Sequence, residues 1–174
     1  MRTQILKNTL WVLILLSILT SIALNHIDSG LRSGATPHGI VSFEFCAYMS
    51  SCDHALSQWG ETGRALAMLS LGIDYLFLIL YPGLIFTGLL LVAPHVPRNL
   101  FRPTMVIAWS CLAISLADAI ENYALIQIIL SESGSRYGLL ASVFATIKFV
   151  LLGITLLWLL FAIVRYVMFN RPVA

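Results

Sequence analysis

Four long apolar runs constrain this chain more than any other feature: Thr9–Leu24, Ala65–Ala93, Thr104–Leu130 and Gly138–Met168. A hydrocarbon core about 30 Å thick is crossed by about 20 helical residues rising about 1.5 Å each. Inside lipid each backbone polar group needs a partner within the protein, so such runs cross as helices. Of the 174 residues, 59% are hydrophobic and 10% charged, against about 25% charged in a soluble domain. That composition excludes a disordered chain, which is polar and charge-rich. Ten Lys+Arg against eight Asp+Glu, a net charge of +2, argues against nucleic-acid binding. The expected fold is an all-α integral membrane protein, a single antiparallel four-transmembrane-helix bundle over residues 1–174.

The first run is the shortest. Arg2 and Lys7 precede it and Ser21-Ile22-Ala23 is a weak cleavage site; it reads as an uncleaved helix rather than a signal peptide. Pro82 interrupts the second run and leaves the Leu78 carbonyl without its helical donor. A kink is expected there, with compensation from neighbouring helices or Tyr81. The positive-inside rule sets the orientation. With both termini cytoplasmic, the inner segments hold six basic residues (Arg2, Lys7, Arg98, Arg102, Arg165, Arg171) and the outer ones three (Arg32, Arg64, Arg136). The expected location is a bacterial inner membrane. Pro94-His95-Val96-Pro97-Arg98 and the polar turn Ser131–Tyr137, with Gly134, are short connections that make antiparallel neighbours.

The outer segment Asn25–Arg64 is long for a bundle connection. After a hinge at Ser29-Gly30 and Ser33-Gly34, Thr36-Pro37 predicts a helix start, Thr as N-cap and Pro at the first helical position. Ile40, Val41, Phe43, Phe45, Tyr48 and Met49 follow, split by Glu44. This run is too short to span, and suits an interfacial or re-entrant helix over the outer mouth of the bundle.

Three stretches, Thr36-Pro37-His38-Gly39-Ile40-Val41-Ser42-Phe43-Glu44, Asp74-Tyr75-Leu76-Phe77 and Asp118-Ala119-Ile120-Glu121-Asn122, together resemble a group of uncharacterised small bacterial inner-membrane proteins with four helices. The resemblance implies the four-span fold and no activity.

The charges inside the spans point to the chemistry. Asp74, Asp118, Glu121 and Lys148 all lie within apolar runs. Each central Asp or Lys costs about 2.5–3.5 kcal/mol on an insertion scale, so they should face one another or water. Counted from the outer ends, all four lie about 10 residues deep, or about 15 Å, near the middle of the core. Asp118 and Asn122 are about 40° apart around their helix, with Glu121 about 60° to the other side. Cys111 and Ser115 continue that stripe, and Ser70, Asp74 and Tyr81 make another. Two readings follow. One is an ion-pair network that holds the bundle together, with Lys148 neutralising one acid and Asn122 and Tyr81 bonding the rest. The other is a functional site, because three acids outnumber one Lys, and of two carboxylates in a dry site one, Asp118 or Glu121, is expected to keep its proton.

Outside the spans, Cys46 and Cys52 suit a disulfide in an oxidising compartment, provided the chain breaks near Ser50-Ser51. Their spacing is not Cys-x-x-Cys. A metal site from His38, Glu44, Asp53 and His54 is a weaker alternative, because no ligand pair has a standard spacing. No cofactor is expected. Glu44 either faces water or points down towards Arg64, Lys148 or a ligand. The four tryptophans, Trp11, Trp59, Trp109 and Trp158, read as packing or interface anchors. No nucleophile constellation and no phosphate loop stands out.

The favoured expectation is a small polytopic membrane protein, leaning away from an enzyme, that binds a small solute, lipid or ion in a polar intramembrane pocket and moves it. Asp74, Tyr81, Asp118, Glu121, Asn122 and Lys148 would line the pocket, with Glu44 on its lid. One alternative is an intramembrane enzyme on a lipid-like substrate with Glu121 or Asp118 as acid or base. It requires an opening towards lipid. Another is an accessory subunit of a membrane complex, or a homo-oligomer.

Overall fold

The computed structural model describes residues 2–49, 51–131 and 135–169. Among them all regular structure is helical: α1 (Arg2–Asp28), a 3₁₀ turn (Ser29–Leu31), α2 (Ile40–Glu44), α3 (Cys46–Met49), α4 (Cys52–Val92), a second 3₁₀ turn (Ala93–His95), α5 (Arg98–Ser131) and α6 (Ser135–Phe169). The helices α1, α4, α5 and α6 are long and apolar enough to cross a membrane. Each extends beyond its apolar run, because the run marks the stretch suited to lipid and helix continues through the flanking polar residues. Part of the Ser131–Tyr137 turn, including Gly134, lies outside the described residues, as do Ser50 and Arg171.

Helix α5 packs between α4 and α6, and α1 lies along α4. The span of α1 is the least buried of the four. At Pro82 α4 continues without a non-helical residue; its only interior departure is at Gly60 (φ 57°, ψ −161°). The Leu78 carbonyl finds its donor across the interface, where Ser115 Oγ on α5 donates to it at 2.8 Å. Of the two sources expected, the neighbouring helix supplies the donor, and Tyr81 bonds Asp118.

The segment before α4 corrects the expected helix start. Thr36 caps no helix. Its hydroxyl donates to the Leu31 carbonyl (2.7 Å), and Trp59 Nε1 donates to the same carbonyl (2.7 Å) and to Thr36 Oγ1 (3.0 Å). Helix α2 begins at Ile40, whose N–H donates to Asp28 Oδ1 at 2.6 Å, so the acceptor lies at the far end of α1. Gly39 makes this approach possible. It sits at φ +58°, and a Cβ there would lie 1.9 Å from Asp28 Oδ1. The expected single helix is two short ones, separated at Phe45. Leu31, Phe43, Leu56, Trp59, Leu71, Leu125 and Ile128 form a buried core beneath them, with the Phe43 and Trp59 rings 4.8 Å apart. Cys46 and Cys52 form a disulfide around the turn that contains Ser51, whose backbone is extended.

Candidate functional site

Lys148 on α6 is the centre of the site. Its ammonium lies 2.8 Å from Glu121 Oε2, 3.1 Å from Asp118 Oδ1 and 3.5 Å from Glu44 Oε2, and it also donates to Glu121 Oε1 at 2.9 Å. Relative exposure is 0% for Glu121, 2% for Asp118, 6% for Lys148 and 8% for Glu44, so these are desolvated charges and not a surface network. The helix register delivers them. Asp118 and Glu121 are three residues apart and so share one side of α5, while Lys148 enters from α6. The ammonium also sits 4.8 Å from the Phe149 ring centroid.

Glu44 arrives from outside the spans. Ser142 Oγ on α6 donates to the Glu44 backbone carbonyl at 2.9 Å, which fixes the end of α2 against α6 and aims the carboxyl at Lys148. Of the four directions open to Glu44 in the sequence, the structure takes the one towards Lys148. Burial raises the Glu44 carboxyl above its ordinary value of 4.5, Lys148 draws it back down, and Asp118 and Asp74 push it up again. The net direction is upward, because burial outweighs the pull of Lys148 and the carboxyls of Asp118 and Asp74 add to it.

The remaining residues extend the cluster sideways. Asn122 Nδ2 donates to Asp74 Oδ2 at 2.6 Å, and Tyr81 OH donates to Asp118 Oδ2 at 2.8 Å. Asp118 thus has Lys148 on one oxygen and Tyr81 on the other. Five of the seven residues expected at the pocket, Glu44, Tyr81, Asp118, Glu121 and Lys148, are thus joined by ion pairs and hydrogen bonds, and the Asn122–Asp74 pair lies beside them, with Asp74 lining the same cavity.

Two cavities meet the cluster. The larger, about 440 Å³, lies between α4 and α6 beneath α2. Its polar end is Glu44, Asp74, Tyr81, Asp118 and Lys148, and its walls are apolar, with Phe77, Leu84 and Ile85 of α4 and Phe149, Leu152 and Leu156 of α6. Phe149 and Leu156 are themselves exposed on the outer surface, so the cleft opens sideways between the two helices. The second, about 280 Å³, lies between α1 and α4 and is lined by Ser21, Asn25, Asp28, Ser70, Asp74 and Asn122 among others.

The alternative metal set is not assembled. Glu44 is turned to Lys148, and His54 Nε2 pairs with Gln58 Nε2 at 3.3 Å. Among the described residues no group of three or more His, Cys, Asp or Glu is placed to hold a metal ion. Three contributors escaped the sequence reading. Ser142 and Asp28 act through backbone groups far away in the chain, and the cleft leucines look like any lipid-facing leucine. The spacing of Asp28 before α2, twelve residues, carries no local capping signal. No protein-family model, no curated protein and no solved structure matches the chain.

Proposed function

We propose that this protein binds a lipid-like amphiphile in the cleft between α4 and α6, with the polar head against the Lys148 cluster and the tail along the apolar walls. The observation that carries this reading is the composition of the larger cavity, charged at one end and apolar along its length, with a sideways opening. Ligand sites are commonly apolar hollows with a few converging polar groups. A fully packed cluster would have favoured the purely structural reading. Four acids against one Lys exceed what ion-pair glue requires.

In this reading both termini are cytoplasmic in a bacterial inner membrane, as the distribution of basic residues favours. Helices α2 and α3 then lie at the outer interface, where exposed Val41, Tyr48 and Met49 suit the boundary between head groups and acyl chains. The sideways opening also serves the alternative of an intramembrane enzyme. Asp118, which lines the cleft, would be its acid or base.

The test is thermal stability of the purified protein in mild detergent with dodecylamine, dodecylphosphocholine or laurate. A ligand at 100 times its Kd stabilises by about 2.7 kcal/mol, or about 5–11 °C at about 2–4 °C per kcal/mol. One head-group class should shift the midpoint saturably, and Leu152→Trp, which fills the cleft, should abolish the shift. Equal responses to all three probes, or a shift that survives Leu152→Trp, would refute the reading.

A further inference from the structure

We propose that the crevice between α1 and α4 is an aqueous access path, by which water, hydronium and small hydrophilic cations reach Asp74 from the side of the membrane that carries α2 and α3. This inference is independent of what occupies the cleft on the α6 side.

The crevice sets polar groups among Leu24, Ile40, Leu71 and Phe77, where a contact between membrane helices is usually apolar or small throughout. Ser21, Asn25 and Asp28 of α1 line it with Ser70 and Asp74 of α4 and Asn122 of α5. The α1 residues fall at intervals of four and three, which is one face of a helix. Asp28 accepts from the Ile40 N–H and Asp74 from Asn122; lipid chains offer no further partner to the lining, and a polar group without a partner in hydrocarbon is costly. The volume, about 280 Å³, far exceeds the roughly 15 Å³ that one water requires on the same measure.

A second observation comes from below. Ser17 continues the α1 stripe one turn deeper, is buried, and its Oγ has no hydrogen-bond partner. Thr20 beside it satisfies its own hydroxyl on the Leu16 carbonyl. A buried polar atom at the foot of a polar crevice is where a bridging water belongs. At the other end of the path, Asp74 and Glu44 line both this crevice and the α4–α6 cleft. Glu44 and Asp74 thereby face the crevice on one flank and the cleft on the other.

The experiment compares two adjacent positions on α4. Ser70 lines the crevice and is 2% exposed, whereas Leu69 is 53% exposed on the outer face. In a Cys111→Ala background, with Cys46 and Cys52 left paired, Ser70→Cys and Leu69→Cys are made separately. Permeabilised membranes are then treated with a charged, lipid-insoluble methanethiosulfonate. That reagent attacks thiolate, which forms in water and not in hydrocarbon. The buried position should react faster, on the order of ten-fold or more, and Asn25→Trp at the mouth should slow it. Both cysteines should react fully after denaturation, which verifies that each is present and reduced. Equal rates at the two positions, or a faster Leu69→Cys, would overturn the proposal. Should Ser70→Cys fail to fold, Ser21→Cys against Ile18→Cys makes the same comparison on α1, with the same outcomes.

Discussion

Replacing Lys148 by Met tests the energetics of the cluster most directly. The substitution keeps the length of the side chain and removes the ammonium that three carboxyls approach at 2.8, 3.1 and 3.5 Å. Breaking a buried pair by removing one partner costs about 3–5 kcal/mol, because the other charge is left desolvated. At about 2–4 °C per kcal/mol, the midpoint in mild detergent at pH 7 should fall by about 6–20 °C. The pH response gives an independent check. Folded Glu44 holds its proton more tightly than the unfolded chain does. The folded state therefore binds more protons in the window that opens at the ordinary value of 4.5 and extends upward. Within that window stability falls as pH rises and recovers as pH falls. Without Lys148 the Glu44 carboxyl loses the largest influence that draws it back down, so the window widens. The loss at pH 5 should then be smaller than at pH 7. A loss under about 1 kcal/mol at pH 7, as for an exposed pair, or one identical at the two pH values, would refute the reasoning.

Two further substitutions probe the frame of the site. Ser115→Ala removes the donor to the Leu78 carbonyl, and an unsatisfied buried acceptor costs about 1–3 kcal/mol. Thermal melts should show that loss, and Ser115→Thr should restore most of it. Gly39→Ala places a methyl group on the Asp28 carboxylate at a residue with φ +58°. The combined clash and strain should cost at least about 1–3 kcal/mol and free α2 from the end of α1. Limited proteolysis should then cut between residues 32 and 45 faster than in the parent.

The spans and the level of the charges were legible because a bilayer leaves few options. Apolar length sets the helices, and the cost of a lone charge drives Asp118, Glu121 and Lys148 together. Which acid faces which donor was not legible. The rotation of α4 that gives Asp74 to Asn122, and of α5 that gives Asp118 to Tyr81, depends on packing between whole helices. Thr36-Pro37 misled for a physical reason. Thr36 has the chemistry of a cap, yet its hydroxyl serves Leu31 and Trp59, while Asp28 receives the first N–H of α2. Tertiary partners outcompeted a local preference. The donor to Leu78 came from a neighbouring helix, one of the two sources the sequence allowed, since Ser115 reaches it from α5 while Tyr81 is held by Asp118.

The position of Lys148 in the chain also bears on biogenesis. Helices enter the membrane in order as the ribosome delivers them, and α4 and α5 bring Asp74, Asp118 and Glu121 before the sole ammonium of the cluster is synthesised on α6. Until then the nascent chain carries carboxyls in the membrane with no counter-charge. Release of the first three spans alone into lipid would leave those acids without the ammonium that pairs them in the finished fold, which is costly. Arrival of the last helix supplies that ammonium, so a chain truncated before α6 would lack the partner of three buried acids.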